Sequence, residues 1–137
     1  ILPLTKITKN ISDFELRCKC GYCKVRIQDH EPVIKVVQDV CDHFSAIAAK
    51  KVTLIITSAA RCYGYNRQPA HLGGAGSNDE SQHPRCCAMD IKIFIDGVQV
   101  DPDFVAEYFD EKYPATYGIG NYKTFTHIDT RAIKARW

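Results

Sequence analysis

The sequence predicts a single α+β domain, and three observations carry that expectation. An amphipathic stretch of helical period opens at Glu31, β-branched runs of strand length follow at Val52 and Met89, and a capped helical stretch precedes a final strand. At 137 residues the chain lies in the single-domain range and can bury one core. It carries no internal repeat, low-complexity tract or dividing linker. One domain over residues 1–137 is expected, with residues 1–30 as a cysteine-containing N-terminal extension packed on it.

Each element has its own signal. EPVIKVVQDVCDHFSAIAAK places Pro32 in a first turn and Val33, Val36, Val37, Val40, Phe44 and Ile47 on one side, a core helix. VTLIIT reads as a buried strand ending at Ser58, and the long stretch from Ala59 to Gln82, with Pro69, Gly73, Gly74, Gly76 and Asn78, reads as a loop. In MDIKIFI, Asp90, Lys92 and Phe94 face one way and Met89, Ile91, Ile93 and Ile95 the other. Asp96-Gly97 offers a hairpin turn before VQV. Asp101-Pro102 caps a helix through DFVAEYFDEKY, which Pro114 stops. GIGNYKTFTHIDTR then suggests a glycine turn at Gly118 and Gly120, and a strand with Phe125, His127 and Asp129 on one face.

Composition excludes several function classes. A formal net charge of +2 over mixed acidic and basic residues gives no stripe for a phosphate backbone, so nucleic acid is not an expected partner. No apolar run approaches the roughly 20 residues of a membrane span. The opening ILPLTK lacks the charged and apolar regions of a secretory signal and suits a processed or excised piece.

Three side chains suit a metal. His83 and Asp90 flank SQHPRCCAMD, and His127 lies on the last strand. Two imidazoles and one carboxylate fit Zn²⁺ and leave a fourth tetrahedral position open for water, whose pKa zinc lowers to about 7. Taken singly, His83 also reads as a loop histidine, Asp90 as a strand-start cap and His127 as a half-buried, hydrogen-bonded histidine.

SQHPRCCAMD resembles the Ser-x-His-x-x-Gly-x-Ala-x-Asp pattern of the M15 zinc peptidases at Ser81, His83, Ala88 and Asp90. TSAARCYGYNR is similar to a second segment of that family at Thr57, Ser58, Arg61 and Asn66. GIGNYKTFTHIDTR is similar to its closing segment at Gly118, Gly120, Tyr122, Phe125, His127, Asp129 and Arg131. Three matches in order cover roughly residues 30–137. The resemblance implies a small antiparallel sheet with flanking helices, related to D-Ala-D-Ala carboxypeptidases, phage endolysin peptidases and the hedgehog domain. It implies zinc at His83, Asp90 and His127 and a peptidoglycan stem-peptide substrate, cleaved by carboxypeptidase or endopeptidase action in the periplasm or cell wall. Cys86 stands where the family has glycine, and Ala59-Ala60 where it has Gly-Tyr.

Roles for the neighbours follow. Asp129, on the face of His127, is the expected general base; the alternative is that it orients His127 from outside the metal's ligands. Arg61 is expected to bind substrate carboxylate or oxyanion, against the alternative of a solvated surface arginine. Ser81 is expected to brace the loop before His83 and line the substrate site. Cys18, Cys20 and Cys23 with Cys41 form either a second, structural metal site or a disulfide cluster. Two further readings stand beside the enzyme: a non-catalytic, zinc-braced module that binds peptidoglycan, and a structural part of a larger assembly such as a phage tail.

Overall fold

In the computed structural model, the described residues are 6–17, 31–59, 71, 76 and 87–137. A short 3₁₀ turn at Asp13–Leu16 precedes helix α1 (Glu31–Ala48) and strand β1 (Val52–Ser58). Then come β2 (Ala88–Ile95), β3 (Val98–Gln99), helix α2 (Pro102–Lys112), β4 (Gly118–Asn121), β5 (Thr126–Asp129) and β6 (Ala135–Arg136). The described strands form one sheet in the order β1-β2-β5-β4-β6, with β3 paired to the far end of β2. All pairs are antiparallel except β4 with β6. This is the α+β class the sequence predicts, with one parallel pair at the edge.

The helices form where their local chemistry says they should. Pro32 sits in the first turn of α1, and Ala49 at φ 52° turns the chain out of it. At α2 the Asp101 side chain accepts a bond from the Asp103 amide at 2.9 Å, with Pro102 as first helical residue. The β2–β3 hairpin turns through Asp96 and Gly97 at φ 52° and 75°, a backbone that favours the Asp-Gly pair.

One sheet face is apolar. Met89, Ile91 and Ile93 of β2 and Ile128 of β5 pack with Val33, Val37 and Val40 of α1 and Phe109 of α2. Ile11 and Leu16, from the N-terminal segment, are fully buried in the same core. Removing a buried phenylalanine such as Phe109 typically costs about 3–5 kcal/mol. Alternation along β2 and β5 therefore sends Asp90, His127 and Asp129 to the opposite face.

Two expectations need correction. The buried stripe of α1 takes in Ile34 and Cys41 and ends there, while Ile47 is 69% exposed. Phe44 is half-buried against the core as expected and also meets Tyr108 of α2, with ring centres 6.4 Å apart. Gly118 and Gly120 lie inside strand β4 and make no turn. The chain reverses at Tyr122–Phe125, where the Tyr122 amide donates to the Phe125 carbonyl at 3.1 Å. What these glycines provide is room: a Cβ on Gly118 would collide with the Asp129 carboxylate and stand 2.6 Å from Arg131 Nε. One on Gly120 would lie 2.7 Å from the Trp137 indole nitrogen.

Candidate metal centre

Strand register assembles the site. Asp90 of β2 is the cross-strand partner of His127 on β5, and Asp129, two residues on, shares its face. Asp90 Oδ1 lies 2.8 Å from His127 Nδ1, and Asp129 Oδ2 lies 2.8 Å from His127 Nε2. The imidazole is thus gripped at both nitrogens by carboxylates, and all three groups are buried.

The surrounding chain holds each member in place. Ser58 pairs with Asp90 while Ile56 pairs with Ile91, so Thr57 bulges out of the β1 ladder, and its hydroxyl donates to the Asp90 carbonyl at 3.3 Å. Arg131 forks onto Asp129: Nε donates to Oδ1 and Nη2 to Oδ2, both at 2.7 Å, and its amide adds a bond to Oδ1 at 3.2 Å. The Arg131 guanidinium lies over the Trp137 ring at 5.2 Å, and that ring is 5.1 Å from the imidazole of His127.

Electrostatics follow from these contacts. Burial opposes ionisation of Asp129, but bonds from His127 and Arg131 outweigh it and hold the carboxyl well below its usual range. Burial likewise opposes charging His127, and its bonds to Asp129 and Asp90 outweigh that, so its pKa is raised. Carboxylate, imidazole, carboxylate and guanidinium thus follow one another along the row Asp90, His127, Asp129, Arg131.

The donor set suits a divalent metal at Nδ1. Tetrahedral ligands about 2.0–2.1 Å from zinc stand roughly 3.3 Å apart, so the 2.8 Å pair of Asp90 and His127 needs to open by only about 0.5 Å. Asp129 on Nε2 is the outer carboxylate that fixes tautomer and ring orientation in histidine–metal sites. Among the described residues no group of three His, Cys, Asp or Glu side chains could hold a metal. The expected third ligand, His83, lies outside them, as do Arg61, Ser81, Cys86, Cys18, Cys20 and Cys23. Asp90 and His127 each make an additional contact beyond those given above.

The Peptidase M15 family model matches residues 9–129. The chain belongs to the M15 peptidase family. In this M15 peptidase the match takes in the N-terminal segment from residue 9 and ends at Asp129. No curated protein and no solved structure gives a match. Sequence reasoning brought Asp90, His127 and Asp129 to attention, named Arg131 in the closing segment without a role, and missed Trp137. Arg131 had a readable signal, two residues beyond Asp129 and so directed to the same side, whereas Trp137 belongs to none of the three motifs. Cys41 is a free thiol inside the core, its pKa pushed up to about 12 by burial and by nearby Asp42 and Glu15.

Proposed function

We propose that this M15 peptidase is a zinc enzyme that hydrolyses amide bonds in the stem peptides or cross-links of peptidoglycan, acting at the cell wall or in the periplasm. The observation that carries the reading is the buried Asp90–His127 cross-strand pair, backed by Asp129 on the far nitrogen, in a chain the family model matches over residues 9–129. His83, Asp90 and His127 would hold the zinc. Bound there, zinc supplies Lewis acidity toward the scissile carbonyl and makes water acidic enough to react at neutral pH.

The chain's own residues do the rest. Asp129 would accept the Nε2–H of His127 and so leave the Nδ1 lone pair for the metal. Its oxygens accept three bonds from Arg131 and face Nε2, and it is 0% exposed, an environment that suits an orienting group better than a proton acceptor. Arg131 neutralises Asp129, so the pair adds no net charge behind the metal. Arg61 is assigned the substrate carboxylate or oxyanion, and Ser81 the bracing of the loop that carries His83.

The second reading is a zinc-braced binding module, either alone or inside a larger assembly such as a phage tail. One observation favours it: Asp129 is fully engaged, and the described residues offer no other carboxylate on His127 besides Asp90. Incubation of the zinc-loaded protein with purified peptidoglycan, read by mass spectrometry, separates the two. New amide-cleavage products that vanish on chelation support the peptidase; binding of peptidoglycan without any product supports the module.

A further inference from the structure

Beside His127 the chain builds a rigid, exposed aromatic wall for which the hydrolytic centre has no evident use. Trp137 is 48% exposed and Tyr122 41% exposed, yet both are firmly held. The Trp137 amide donates to the Ile119 carbonyl at 3.1 Å, its carbonyl accepts from the Asn121 amide at 2.8 Å, and its indole N–H donates to the Tyr122 hydroxyl at 2.7 Å. Tyr122 in turn stacks on Phe125, ring centres 4.4 Å apart and 9° from parallel. Gly120, the cross-strand partner of His127, admits the indole, which any side chain at that position would strike. Backbone pairing, a glycine and a phenol keep the indole in place next to the candidate metal ligand, its N–H partnered as a Trp N–H usually is.

We propose that Trp137, with Tyr122 behind it, forms the wall of the substrate subsite next to the scissile amide and takes a neutral aliphatic side chain of the peptide, such as an alanine methyl. This deepens the peptidase reading above and rests on it. Two features fix the chemistry. Arg131, the cation lying on the indole, is already paired with Asp129 through two guanidinium hydrogen bonds, so the wall presents apolar ring surface without net charge. The indole centre is 5.1 Å from the imidazole centre, and a peptide advances about 3.3–3.6 Å per residue. What covers the indole therefore lies within one or two residues of the bond being cut, which favours the stem peptide over the glycan strand.

Trp137 is the only tryptophan in the chain, so its fluorescence reports the wall directly. Zinc-loaded unaltered protein is mixed by stopped flow with a sugar-free stem pentapeptide and, separately, with the disaccharide pentapeptide, and Trp137 emission is read before turnover; a saturable emission change with both is expected. In the His127-intact enzyme, Trp137→Ala is expected to raise KM for the pentapeptide about tenfold while kcat changes less than threefold, the scale of one lost aromatic contact. Tyr122→Phe, which keeps the ring and removes the indole's anchor, should raise KM by a smaller factor at unchanged melting temperature, a readout that general loss of structure cannot imitate. An emission change only with the sugar-bearing ligand, or an unchanged KM in Trp137→Ala, overturns the proposal while leaving the peptidase reading intact. Absence of hydrolysis by the intact zinc enzyme overturns both.

Discussion

Replacing Asp129 with Asn keeps the side chain's shape and removes its charge. The lost carboxylate is 0% exposed, accepts three bonds from Arg131 and faces Nε2 of His127, so the substitution strands a guanidinium and unbalances the imidazole. Removing one partner of a fully buried ion pair costs about 3–5 kcal/mol. The Arg131 side chain is 26% exposed and recovers part of this from water, which brings the expected loss to about 2–3 kcal/mol. For a domain of this size that lowers Tm by roughly 6–12 °C. Urea unfolding of metal-free protein at pH 7 measures it. Adding Arg131→Gln to Asp129→Asn should cost less than the sum of the single changes, with a coupling energy above about 1 kcal/mol. Zinc affinity should fall about 10–100-fold through the loosened His127 ring. A single-variant loss below about 0.5 kcal/mol with strictly additive behaviour would refute the reasoning that this pair is a buried support for His127.

In metal-free protein the raised pKa of His127 contributes stability that is complete below its unfolded value of about 6.5 and is lost as pH rises through the folded value; unfolding free energy should decline as pH rises above about 6.5. The depressed Asp129 acts oppositely, contributing above its unfolded value of about 3.9 and losing that contribution as pH falls toward the folded one. Since zinc needs the neutral imidazole, its uptake should release a proton, and calorimetry in buffers of different ionisation enthalpy should show affinity rising with pH. Gly118→Ala should destabilise by about 2–4 kcal/mol, because the new methyl displaces the Asp129 carboxylate from Arg131; chemical denaturation with the unaltered protein alongside reads this out. Cys41, buried and with its pKa near 12, should resist alkylation at pH 8 in the native protein and react on unfolding, as peptide mapping by mass would reveal.

Much of this fold was readable because its signals are local. Pro32 and the Asp101-Pro102 pair mark helix starts by chemistry that acts within one turn, and the alternation of MDIKIFI separates Asp90 from Met89 and Ile91 without knowledge of any partner strand. His127 and Asp129 were placed on one face by the same period of two. What escaped depends on register between strands. The bulge at Thr57 exists only relative to β2, and Gly118 and Gly120 look like turn residues until Asp129, Arg131 and Trp137 are seen against them. The Arg131 fork was legible in spacing but not in purpose, since a basic residue after a strand reads equally as a solvated end. The burial of Cys41 was hidden because the stripe of α1 is wider than a single row of valines suggests.

The most direct test of the central claim, that Asp90 and His127 belong to a catalytic zinc centre, is hydrolysis of purified peptidoglycan by native, chelator-treated, zinc-restored and His127→Ala protein, with products weighed by mass spectrometry. Amide cleavage should disappear with chelator, return with zinc and be absent from a folded His127→Ala variant. Cleavage that persists through chelation, or in the His127→Ala variant, would contradict it.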